Sequence, residues 1–176
     1  MNELIQLTPK RLHLIIAPHP QRRRLMSELT ARLALEGPLL VLDGGNSFDA
    51  YGLSRLLRQR SRQWKSLLEH TQLARAFTCH QMSTLLEQTA ATPLPTLVLE
   101  LLDTFYDENV PLPERLRLLE GCLEHLRRLA QNSQVAVSAA SPEQGQPEQL
   151  LRLLSNAAGQ VWHFERPQVA PPSRLF

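Results

Sequence analysis

The chain has 176 residues, a formal net charge of +2, and 43% hydrophobic but only 5% aromatic residues, which is the size of one domain with an aliphatic core. So small a net charge excludes the broad positive field of a strongly basic nucleic-acid binder. No apolar run reaches the roughly 20 residues of a membrane helix, and the polar opening MNELIQLTPKR lacks the character of a signal peptide, so a cytoplasmic protein is expected.

The first element, LHLIIA (12–17), reads as a buried strand. A proline-broken turn leads to a helix over 20–36, with Leu25, Leu29 and Leu33 on one stripe, and Gly37-Pro38 stops it. LLVLD (39–43) is a second buried strand, broken by GGNS. The pattern then predicts one long helix over 49–70, with Leu53, Leu56, Leu57, Leu67 and Leu68 inward and Arg55, Arg58, Arg60, Arg62 and Lys65 largely outward.

ARAFT (74–78) reads as a short strand and HQMSTLLEQTA (80–90) as a short helix. TLVLELL (96–102) is the most continuous apolar run and hence the expected central strand. The loop DTFYDENVPLP precedes a helix over 114–132, buried through Leu116, Leu119, Leu123, Leu126 and Leu129. QVAVSAA (134–140), a helix over 147–157 and an edge-like strand QVWHFE (160–165) complete the series. Strands alternating with helices predict an α/β fold: a mostly parallel central sheet flanked by helices on both faces. One domain is expected over 1–166, followed by a proline-rich tail, 167–176, extended or wrapped on the surface.

Cys79 and Cys122 have no CxxC spacing, and His13, His19, His70, His80, His125 and His163 are scattered, so no metal and no cofactor is assigned. Of the 19 basic residues only Lys10 and Lys65 are lysines. Arginine's planar fork suits phosphate, carboxylate and protein interfaces.

Several segments, taken in order, carry a family likeness. LLVLDGGNSFDAYGLSRLLR, RAFTCHQMSTLLEQ and TLVLELLDTFYDE followed by PERLRLLEGCLEHLRRLAQNSQVAVSAAS resemble the RecA-like recombinases, in particular the archaeal and eukaryotic recombinases and their paralogues, over residues 10–165. The resemblance implies a RecA-like P-loop NTPase core, with a phosphate loop after the first strand and a Walker B carboxylate at the end of TLVLE.

The departures fall on the family's chemistry. A phosphate loop needs G-x-x-x-x-G-K-[ST], whose glycines let backbone N–H groups curl around phosphate. Across Ala17 to Arg24, Ala17 and Arg22 replace the glycines, Arg23 the lysine and Arg24 the hydroxyl residue, while Pro18 and Pro20 have no N–H to donate. The carboxylate expected in D-x-E-x-x-F falls at Gly45, between Asp43 and Phe48, and Glu100 stands at the Walker B position, with Asp103 a possible substitute or a cap. The expectation is a degenerate member without working ATPase machinery.

Four residues of the turn, Gln21, Arg22, Arg23 and Arg24, are candidate anion ligands, because cations in a helix's first turn are unfavourable unless something anionic is near. Arg55, Arg58, Arg60, Arg62, Trp64 and Lys65 combine phosphate contacts with a stacking face, as single-strand binders do, although any solvated amphipathic helix shows the same pattern. The loops DTFYDENVPLP and SPEQGQP occupy the places of the family's DNA-gripping loops, yet both are acidic through Asp103, Asp107, Glu108 and Glu143, which repels phosphate. Phe105 and Tyr106, if exposed, suit a protein contact; otherwise they pack beneath the loop.

The resulting expectation is a non-catalytic RecA-like binding or scaffold protein, an accessory factor in DNA recombination or repair acting through protein contacts. Its expected partner is a recombinase or RecA-like paralogue, with a homodimer possible and DNA a weaker candidate. The alternatives are a divergent NTPase using Arg23 and Glu100, a single-stranded DNA-binding accessory protein, and a RecA-like cell-division inhibitor.

Overall fold

The computed structural model describes residues 5–165, so the 167–176 tail lies outside the described residues. The chain alternates strand and helix: β1 Leu12–Ile16, α1 His19–Glu36, β2 Leu39–Asp43, α2 Ala50–Arg60, α3 Trp64–Glu69, β3 Thr71–Arg75 and α4 Cys79–Gln88. β4 Thr96–Leu99, a 3-10 turn over Leu101–Phe105, α5 Leu112–Ala130, β5 Val135–Ala139, α6 Glu148–Ala157 and β6 Gln160–His163 follow. The six strands form one sheet in the order β3-β2-β4-β5-β1-β6, and every pairing is parallel. This is the α/β architecture expected, with β4 and β5 in the middle and β6 at an edge.

Period-two alternation assigns the faces. Leu14 and Ile16 of β1 join a core built with α4, α5 and α6, whereas Ile15 joins the opposite core built with α1 and α2. Likewise Val98 of β4 faces the first core, and Leu97 and Leu99 the second. A strand buried on both faces has no reason to alternate polar with apolar residues, which is why β1, β2, β4 and β5 stand out as apolar runs.

Three elements differ from the sequence expectation by more than two residues at an end. The long 49–70 helix is two helices, because Ser61 adopts an extended conformation (φ −150, ψ 139) and closes α2. The third strand is Thr71–Arg75 rather than 74–78: it is an edge strand pairing with β2 from Leu39↔Thr71 to Asp43↔Arg75, and its exposed Gln72, Leu73 and Arg75 give it no apolar signature. β4 ends at Leu99 instead of Leu102, because Glu100 turns into the left-handed region (φ 52, ψ 47) and a 3-10 turn takes over.

Candidate functional site

Only Ala17 and Pro18 separate β1 from α1. The helix starts at His19, the Arg22 N–H already donates to the Pro18 carbonyl at 2.8 Å, and Pro18 and Pro20 have no N–H to offer. No side chain caps this N-terminus.

Arg22 turns back towards the sheet. Its Nε donates to both carboxylate oxygens of Glu100, at 2.6 and 2.8 Å, and its Nη1 donates to the Ala17 carbonyl. The pair is sealed, with side chains 5% and 8% exposed. Glu100 is placed by its left-handed backbone and by its N–H, which donates to Ser138 Oγ on β5 at 3.0 Å. Two residues proposed separately, one for the phosphate position and one for the Walker B position, are thus each other's partners. The anion held by Arg22 is intramolecular.

Gly45 completes the closure. A Cβ built there would lie 2.6 Å from Glu100 Cβ and 2.8 Å from Asp103 Oδ2. The place where the family resemblance implies a carboxylate is filled by carboxylate side chains from the turn after β4, and only glycine fits beside them. Asp43, fully buried at the end of β2, accepts from the N–H groups of Gly45, Ser47 and Phe48 at 3.2, 3.0 and 2.9 Å. It shapes the GGNS turn and meets Arg75 Nε at 3.5 Å.

Asp103 stands at the rim of this cluster and makes no side-chain hydrogen bond among the described residues. Desolvation first, and then the negative charge of Glu100, push its carboxyl up to about 6, against the opposing effect of Arg22. It borders an open cleft of about 710 Å³ together with Pro18, His19, Tyr106, Glu143 and His163. This cleft opens at the carboxyl ends of β1, β5 and β6, where α1 passes to one face of the sheet and α6 to the other, the place at which open α/β sheets bind ligands. Among the described residues, no group of three metal-ligating side chains is assembled.

The remaining candidates lie apart. Gln21 is half-buried, Arg23 meets Asp49 at 3.6 Å in solvent, and Arg24 is exposed without an ion pair among the described residues. Arg55, Arg58, Arg60, Arg62 and Lys65 are exposed along α2, the break after it and α3. Arg58 covers the Trp64 ring at 4.1 Å, Lys65 approaches it at 5.6 Å, and Arg60 pairs with Glu28. The half-buried indole is therefore already stacked within the molecule. Phe105 is fully buried and packs beneath the loop, and Tyr106 is half-buried, so neither presents a free aromatic face.

Sequence reasoning missed Ser138 and Arg115. Arg115 falls on the inward stripe with Leu119, Cys122 and Leu126, and an arginine on a leucine stripe is the signal that could have found it. The chain matches no protein-family model, and no curated protein is detectably similar to it.

Proposed function

We propose that this protein is a RecA-like domain that has given up nucleotide chemistry and works by binding another protein, as an accessory factor in DNA recombination or repair. One observation carries the reading: the buried Arg22–Glu100 pair closes the turn between β1 and α1 with an internal anion. Arg22 is committed, Glu100 is committed, and position 45, where the resemblance implies the water-activating carboxylate, is a glycine. The DNA context rests on the family resemblance of the sequence.

Protein contact is favoured by aromatic residues left in solvent. Tyr51, in the first turn of α2, and Phe77, just after β3, are 80% and 67% exposed. Aromatic side chains exposed to this degree are what protein interfaces collect. The edge strand β3 offers main-chain donors and acceptors as well.

The test has two arms on the full chain. ATP with Mg²⁺ should not be hydrolysed above the protein-free rate, and Mg²⁺-dependent turnover would overturn the non-catalytic reading. Capture of a partner from native extract should be lost when Tyr51 and Phe77 are both changed to Ser, and unaltered capture would overturn the assigned surface.

A further inference from the structure

Tyr106 and Gln146 also border a second cavity, of about 470 Å³, at the start of α5 and α6. β4 and β5 are neighbours in a parallel sheet, so the helices that follow them begin side by side at its carboxyl end. Leu112, the first residue of α5, and Pro147, which precedes α6, both line the cavity, and neither helix has a side-chain cap. Two positive dipole ends therefore meet here, favouring negative charge.

The independent observation is Arg115, which lines the same cavity and is only 7% exposed. Its Nη1 donates to the Phe105 carbonyl at 3.1 Å, while its Nε is buried without any hydrogen-bond partner. Among the described residues it forms no ion pair. A buried guanidinium without a counter-charge is costly, and a bound anion offsets that cost. With Nη1 engaged and Nε sealed from solvent, Nη2 is the donor left to meet an oxygen of a carboxylate or phosphoryl group from the cavity.

A second buried polar group belongs to a residue that lines the same cavity. The Tyr106 hydroxyl is buried and unpartnered. Burial, then the charge of Asp103, push this phenol up to about 12, so it keeps its proton at neutral pH. Opposing charges are present: Glu108 borders the cavity, Asp103 acts on the Tyr106 phenol, and Glu114 and Glu148 sit in the two first turns, although Glu114 is engaged by His80 at 3.0 Å.

We propose that this cavity is an oxyanion site for a small molecule bearing a carboxylate or phosphoryl group, with Arg115 as its counter-charge and the two helix N-termini beside it. The site shares no residue with the Arg22–Glu100 pair and does not depend on the functional reading above.

The experiment titrates the full chain with inorganic phosphate and, separately, with succinate, at an ionic strength held constant with chloride, and follows backbone amide resonances. Saturable shifts around 106–116 and 145–150 are expected, and the arm that saturates identifies the class of anion. R115Q should weaken binding by about tenfold or more, the loss of a charge-assisted hydrogen bond. The exposed rim variants leave the core untouched: E108Q should tighten binding by about threefold and Q149E should weaken it by a similar factor, as expected for single charges near an open site. No saturable binding in either arm, or rim variants that bind like the wild type, would overturn the proposal even if R115Q fails to fold.

Discussion

At Arg22 the guanidinium has Glu100 on one side and the Ala17 carbonyl on another, and all three are buried. Truncating one member leaves a buried charge with no partner, so R22M should lower stability by about 3–5 kcal/mol in urea denaturation. The double variant R22M/E100L should recover most of that loss, because it removes both charges together; a double mutant no more stable than R22M would show that the arginine acts through packing alone. Asp103 supplies a pH signature. Its folded carboxyl titrates near 6, above the ordinary value of 3.8, so the native state holds a proton that the unfolded chain has already released between these values. Stability attributable to Asp103 is therefore full below about pH 4 and falls as pH rises to about 6. D103N should accordingly be more stable than the wild type at pH 7, with the difference shrinking towards pH 4 in thermal denaturation scans. Neither role was legible in the sequence. Arginine in a turn and glutamate at a strand end look alike whether they face water or one another, and 78 residues separate them.

At the scale of elements, the strands divide by what covers them. Leu97 in β4 is fully buried and Leu73 in β3 is 38% exposed, although both are leucines in five-residue or shorter strands of one sheet. L97A should cost about 2–5 kcal/mol, as buried leucine truncations do, and L73A under about 1 kcal/mol. Equal losses in chemical denaturation would mean that the β3 edge is covered in solution, as it would be by a bound partner or a second copy. The same difference explains which elements the sequence displayed. Continuous apolar runs announced β1, β2, β4 and β5, because both faces of each are buried. β3 was displaced by three residues because an edge strand need not be apolar, and the long helix hid its break because the leucine stripe continues across Ser61.

For the whole molecule, two aliphatic cores lie on opposite faces of one parallel sheet, and the sheet couples them. Native-state hydrogen exchange should therefore be slowest in β2, β4, β5 and β1, which have a strand on each side, and faster in β3 and β6 at the edges. Uniform protection across all six strands would indicate that an edge is capped by association. The fold also puts two of its openings at one end of the sheet. The cleft beside Asp103 and the cavity beside Arg115 both lie where strands end and helices begin, and both are bordered by Tyr106. Among the described residues no helix is long and apolar enough to cross a membrane.

Hydrophobic periodicity by itself determined the α/β class and the alternation of strands and helices, and residue identity the lack of glycine between β1 and α1, because these depend on residues close together in the chain. Only the tertiary structure decided what fills the turn between β1 and α1. Whether Arg22 faces a ligand or Glu100, whether Gly45 has room for a side chain, and whether Arg115 is solvated or sealed without a counter-charge are all set by strands and helices distant in sequence. The free energy of a charge depends on what lies within a few ångströms of it in space, and that distance is not written in the order of residues.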